Sequence, residues 1–118
     1  MRATSMFIKE VDSPTLVSKM EENDDLVIID VREMHEISRG TIQGAIAMPM
    51  ATVPVRLNEI PKDKEVVFIC RSGARSGQVC MFLGQHGYDN VINLRGGMIG
   101  WVRSGYEPVL PEQVSNVY

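Results

Sequence analysis

Val66-Val67-Phe68-Ile69-Cys70-Arg71-Ser72-Gly73-Ala74-Arg75-Ser76 is the stretch on which the fold turns. Its first four residues are uniformly apolar. They read as a strand buried on both faces, because a strand with one wet face would alternate. The run stops at a cysteine, crosses a glycine and meets a segment of different period. Val79, Phe82, Leu83 and His86 stand at i, i+3, i+4 and i+7, one stripe of a helix from about Arg75 to His86. Gly87 ends it as a C′ residue. A buried strand feeding a helix through a short turn is the repeating unit of α/β folds.

The same alternation extends outward on both sides. Leu26-Val27-Ile28-Ile29 is a second continuous apolar run, ending at Asp30, and Ala45–Met48 and Val91–Leu94 are shorter strand candidates. Met6-Phe7-Ile8 supplies an edge strand in this reading. Ser13-Pro14 has the pattern of an N-cap followed by proline, opening a helix to about Glu22. Asp30 and Glu33 have capping-box spacing, which predicts a short helix directly after the strand. Gly77 and Gly84 fall on nearly one face of the helix after Cys70, and close backbone packing is the expected reason for both. Gly96-Gly97 predicts a tight turn into a short helix that carries Trp101. The tail from Glu107, with Pro108 and Pro111, reads as irregular and peripheral. The expected fold is therefore α/β: one domain over residues 1–118, with its core at about 6–108 and residues 109–118 as a peripheral tail. A mostly parallel sheet of about five strands carries helices on both faces. Ligands bind beyond the carboxyl ends of strands in such sheets, so Asp30 and Cys70 should share the functional edge.

Composition narrows the function. At 118 residues the chain suffices for one domain with a real core, and its 44% hydrophobic content rules out wholesale disorder. A net charge of −3 argues against nucleic-acid binding through bulk positive charge. No apolar run approaches membrane-spanning length, and the charged Lys9-Glu10 pair interrupts any signal-peptide h-region, so neither a membrane nor a leader is expected. The cytoplasm is the expected compartment. Two cysteines are too few for a disulfide scaffold. With nine residues between Cys70 and Cys80, and His35 and His86 far apart, nothing has zinc-ligand spacing, and no structural metal is expected.

The connection after Cys70 carries the chemistry. A tight strand-to-helix turn aims successive N–H groups inward, and such a nest before a helix N-terminus is an anion site. A sulfur at its base should be held as thiolate by those dipoles and by Arg71 and Arg75. A buried cysteine acting as a small hydrophobe would not call for Arg71, Ser72, Gly73 and Arg75 to follow it. For Cys80, on the helix beside Val79 and Leu83, core packing is the expected role, with a resolving thiol as the alternative. His86 is expected to meet last-turn carbonyls, and His35 to be exposed.

These residues resemble the single-domain rhodaneses, sulfurtransferases of the rhodanese superfamily. Ile29-Asp30-Val31-Arg32-Glu33 is similar to the first family signature, and Gly40-Thr41-Ile42-Gln43-Gly44-Ala45-Ile46 with Pro49 to its continuation. Cys70–Ser76 resembles the active-site loop, and Asn93-Leu94-Arg95-Gly96-Gly97-Met98 with Trp101 the second signature. The likeness runs from about Leu26 to Pro108. Two positions depart: Thr41 stands where the family usually has histidine, and Arg95 where an acidic or neutral residue is common.

The resemblance implies a thiosulfate sulfurtransferase. Cys70 would attack the sulfane sulfur of a small anionic donor such as thiosulfate, and the resulting persulfide would pass its outer sulfur to cyanide or a thiol. Arg71, Ser72, Gly73, Ala74 and Arg75 would bind substrate through the loop amides, with Arg71 turned to solvent. Asp30 and Ser76 would support the loop, Arg75 bracing against Asp30 and Ser76 capping the next helix. Only four residues separate Cys70 from Arg75, whereas related dual-specificity phosphatases carry one more, so the ring suits a sulfur better than a phosphoryl group. A noncatalytic rhodanese-like binding module is the alternative from another class.

Overall fold

The computed structural model describes residues 7–111. Strands β1 (Lys9–Val11), β2 (Val27–Asp30), β3 (Ile46–Ala47), β4 (Val66–Ile69) and β5 (Val91–Leu94) form one sheet in the order β1-β5-β4-β2-β3. Every pairing is parallel. Helices α1 (Ser13–Glu22), α2 (Met34–Ile37), α3 (Ala74–Gly84) and α4 (Gly97–Arg103) alternate with the strands, and two 3-10 segments, Met50–Val55 and Leu57–Glu59, lead into β4.

The central strand explains the two-layered core. β4 is wholly buried, and its residues divide by parity. Val66, Phe68 and Cys70 pack with Ile29, Val79 and Leu83 on the α3 side. Val67 and Ile69 pack with Leu16, Ile92, Met98 and Trp101 on the α1 and α4 side. Cys70 follows Phe68 on the α3 face, so its side chain enters the angle between the strand end and the helix start. Fully burying aliphatic side chains of this size contributes roughly 1.5–3 kcal/mol each. The sheet edge is therefore a stiff platform for the loop.

Several local expectations give way. β1 is Lys9–Val11 instead of Met6–Ile8: Lys9, Glu10 and Val11 pair with Ile92, Asn93 and Leu94, while Met6 lies outside the described residues. An edge strand needs only one backbone neighbour, so apolar residues do not mark its limits. Asp12, not Ser13, caps α1, with its carboxylate accepting the Thr15 N–H at 3.0 Å. Glu33, not Asp30, is the cap of α2, and its N–H donates to Glu36 Oε1 at 2.9 Å. Asp30 still belongs to β2, and other partners occupy its carboxylate. The tail is not wholly peripheral either. Thr41 and Val109 exchange two backbone hydrogen bonds of 2.8 Å, forming an antiparallel bridge outside the main sheet. His86 Nδ1 does sit 2.8 Å from the Phe82 carbonyl in the last turn of α3.

The two α3 glycines have different origins. A Cβ on Gly77 would touch the Asn93 side chain at 3.4 Å and Ile8 at 3.5 Å, so packing accounts for it. Gly84 is exposed and a Cβ there would meet nothing within 4 Å. Gly84→Ala is accordingly expected to stabilise the fold by about 0.5–1 kcal/mol, read as a rise in the urea midpoint without a change in slope.

Candidate active site

Cys70 follows the last residue of β4, and α3 begins four positions later at Ala74. Gly73 makes this turn possible. Its φ of +101° lies in the left-handed region, and a Cβ there would come within 3.3 Å of Gly96 N and Leu94 O. Gly77 N–H donates to Gly73 O, the first bond of the helix, so the amides of Ala74, Arg75 and Ser76 stand ahead of it.

The cup is anchored from below by α4. Met98 N–H donates to Cys70 O at 2.9 Å and Ile99 N–H to Arg71 O at 3.0 Å. Such contacts require the α4 backbone to ride directly over the loop. A Cβ on Gly97, whose φ is +56°, would lie 2.5 Å from both of those carbonyl oxygens. Gly97 thus serves the loop's foundation, whereas Gly96, with φ +87° and only Gly100 near its missing Cβ, serves the turn itself.

Cys70 is 1% exposed, and its Sγ lies inside this cup. Gly73 N–H points to Sγ at 3.1 Å, Ser76 N–H at 3.4 Å, and the Ser76 hydroxyl at 3.3 Å. Burial alone pushes the thiol up. The Ser76 hydroxyl and the amides of Ser76, Gly73 and Ser72 outweigh that burial and bring it below the ordinary cysteine value. Cys80 differs. It packs in the core on α3 with no such donors, and burial pushes it up to about 12. The surroundings of Cys70 favour the thiolate; those of Cys80 favour the thiol.

The surrounding charges are arranged differently from expectation. Arg75 does not reach Asp30. Its guanidinium grips the Glu36 carboxylate on α2 through two bonds of 2.8 and 2.9 Å. This pairing holds Glu36 down at about 2 and spends the Arg75 fork on bracing. Arg75 can therefore offer an incoming anion its field rather than a free guanidinium. Asp30 is fully buried and does not touch the loop. It accepts Arg32 Nε and Nη2 and the Thr41 hydroxyl, the last at 2.7 Å. Arg32 Nη2 also donates to Gly40 O at 2.6 Å, so Asp30 and Arg32 lock the segment after β2 onto the sheet. Ser76 does not cap α3, since it is the third residue of the helix and its hydroxyl faces inward. Arg71 is exposed, as is Arg95. Arg71 lines an open groove of about 510 Å³ with Arg32, Glu36, Arg39, Ile99 and Arg103.

Sequence reasoning gave no role to three contributors: Arg32, Glu36 and Asn93. Asn93 carried a signal, because it is the one polar residue in the otherwise apolar Val91–Leu94 run. In the fold it is 1% exposed and reaches three groups. Its Nδ2 donates to Glu10 Oε2 at 2.9 Å and Gly73 O at 3.1 Å, while its Oδ1 accepts from Ser76 Oγ at 2.5 Å.

The sequence profile of the rhodanese-like domain family matches residues 13–104. The chain belongs to the rhodanese-like domain family. It is 47% identical over 105 residues to a sulfurtransferase of Allochromatium vinosum, covering 89% of this chain and 98% of the other. It is 32% identical over 92 residues to a thiosulfate sulfurtransferase of Glaesserella parasuis, covering 78% of this chain and 85% of the other. Among solved structures, a rhodanese-like domain protein from Staphylococcus aureus superposes with a TM-score of 0.79 at 32% identity, covering 89% of this chain and all of that one. The rhodanese-like fold and its parallel five-stranded sheet are thus established together.

Two outcomes test the site's electrostatics. Alkylation at pH 7–8, followed by peptide mapping, should label Cys70 and spare Cys80, with Ser76→Ala moving the Cys70 midpoint upward. For the brace, the folded Glu36 carboxyl sits at about 2 against an ordinary 4.5. The Arg75 pair therefore contributes stability above about 4.5 that is lost as pH falls through about 2. Glu36→Gln should destabilise at pH 7, and that penalty should shrink across the same window in urea titrations.

Proposed function

We propose that this protein acts as a single-domain sulfurtransferase, moving a sulfane sulfur from thiosulfate or a similar small anionic donor to cyanide or a thiol. Cys70 is the residue that carries the sulfur. One observation bears most of the weight: the Cys70 Sγ, buried at a strand end, accepts two backbone N–H groups and a hydroxyl. That environment makes a nucleophile of a thiol and then a good leaving group of the same sulfur. The names of the sulfurtransferase relatives support the same chemistry.

The reaction divides into two displacements. In the first, the Cys70 thiolate attacks the outer sulfur of thiosulfate. A new S–S bond forms, the bond to the sulfonate sulfur breaks, and sulfite leaves with the electron pair. In the second, cyanide or a thiolate attacks the outer sulfur of the persulfide, and Cys70 departs as thiolate. Protein carries the cargo throughout, so no cofactor is required.

Loop size supports sulfur over phosphate. Four residues separate Cys70 from Arg75, and the added sulfur extends the side chain by only about 2.05 Å. A phosphoryl group would ask a wider ring of donors to reach three oxygens. Arg75, already engaged with Glu36, is also not free to clasp phosphate through its fork. The groove beside the loop gives an anionic donor its approach, with Arg71, Arg39 and Arg103 along it. Both cysteines are free thiols, which fits work in a reducing compartment such as the cytoplasm.

Cys70→Ala should abolish thiosulfate:cyanide sulfur transfer. Thiosulfate should add the mass of one sulfur to Cys70 in the parent, and cyanide should remove it. Robust aryl phosphate hydrolysis by the parent, or no adduct, would overturn the assignment. Arg71→Glu should raise the KM for thiosulfate about three- to tenfold with little change in kcat, an effect that added salt should diminish.

A further inference from the structure

Ser76 has one hydroxyl proton and two acceptors within reach. Its Oγ lies 2.5 Å from Asn93 Oδ1 and 3.3 Å from Cys70 Sγ. All three groups are buried. The orientation of Asn93 is not free: its Nδ2 is occupied by Glu10 Oε2 and Gly73 O, so only Oδ1 can face Ser76. The amide thus presents a fixed acceptor that competes with the sulfur for a single proton.

We propose that Asn93 is a positioning residue that acts through Ser76, accepting the hydroxyl's hydrogen bond when Cys70 is loaded with sulfur and releasing it when Cys70 is free. This inference rests on the sulfur-transfer reading and adds to it a device that balances the two half-reactions. When Cys70 is a thiolate the negative charge sits on Sγ; the Ser76 hydroxyl then donates to it, and Oγ draws back from the 2.5 Å contact with Asn93 Oδ1 that otherwise holds the proton between the two oxygens. When thiosulfate loads the site, Sγ becomes a bridging sulfur bonded on both sides, and the charge moves to the outer sulfur. Sγ is then a poor acceptor. The hydroxyl rotates to Asn93 Oδ1, which would otherwise be buried without its partner. When the acceptor takes the outer sulfur, charge returns to Sγ and the hydroxyl rotates back to stabilise the leaving thiolate. No proton is transferred in either direction, because only the O–H bond turns.

The neighbouring charges do not offer the same function. Arg75 on α3 is held by Glu36 on α2, Arg71 on the loop is exposed, and Glu10 on β1 lies behind Asn93. None of them stands between Ser76 and the sulfur with a choice of two acceptors.

The loading equilibrium tests the device. The fraction of protein carrying an extra sulfur is read by intact mass at fixed thiosulfate-to-sulfite ratios, at a pH above the Cys70 midpoint. Ser76→Ala removes the donor to the thiolate and, in the loaded state, the donor to Asn93; because the bond to the charged sulfur is the stronger, the equilibrium should shift severalfold toward the persulfide. Asn93→Leu leaves the hydroxyl with only Sγ and should shift it severalfold the other way. Asn93→Leu added to Ser76→Ala should change the Ser76→Ala value by less than about twofold. Ser76→Thr, which keeps a hydroxyl, should restore the parent balance. Asn93→Ala serves the same purpose if leucine is not accommodated. Shifts of the same sign in both single variants, or an Asn93 effect of equal size with and without the serine hydroxyl, would overturn the proposal while leaving sulfur transfer intact. A parent that acquires no sulfur at all would instead overturn the sulfur-transfer reading, and this inference with it.

Discussion

Burial pushes the thiol of Cys70 up, and this fold outweighs that push with fixed dipoles that hold it below the ordinary cysteine value. The hydrogen bonds from Gly73 and Ser76 depend on a backbone turn that would collapse or splay if left alone. Much of the surrounding architecture serves to hold that turn. α4 secures the carbonyls of Cys70 and Arg71, α2 clasps Arg75 through Glu36, and β5 supplies Asn93 to tie Gly73 to Ser76. Three separate elements therefore converge on seven residues. Preorganisation of this kind places the cost of ordering donors in folding instead of in each turnover.

The parallel sheet makes that convergence possible. With β4 at its centre and β2 and β5 on either side, the strand ends bring Asp30, Cys70 and Leu94 to one edge. The chain then leaves each strand in a different way. After β2 it is locked by the buried Asp30–Arg32 pair and Thr41. After β4 it forms the cup, and after β5 it returns as the glycine-led helix beneath the cup. Thr41 fills its position with a hydroxyl that donates to Asp30, so the departure from the more usual histidine retains a polar partner for the buried carboxylate.

The core strands and the loop were legible in the sequence for a simple reason. Val66–Ile69 and Val91–Leu94 are buried on both faces, and a short, nearly continuous apolar run bounded by turn residues is the direct mark of such a strand. The cysteine, glycine and arginines after β4 likewise state their chemistry locally. What escaped was set by distance and by the backbone. β1 takes its limits from hydrogen bonds to β5, which Lys9 and Glu10 make as readily as apolar residues do. The partner of Arg75 lies 39 positions away, and only the packing of α2 against the loop decides that it is Glu36 and not Asp30. Ser76 looked like a cap because serine near a helix start commonly is one; its inward direction follows from the turn at Gly73. Asn93 stood out as polar within an apolar strand, yet its importance depends on a serine reached only across the fold.

The bridge between Thr41 and Val109 ties the last described stretch of chain to the segment that closes over Asp30. Pro108, immediately before it, forms part of the wall of the arginine-lined groove. Pro108 and Val109 are in this sense a buttress. Removing the chain from Pro108 onward would take one side from that groove and the backbone clasp from Thr41 together.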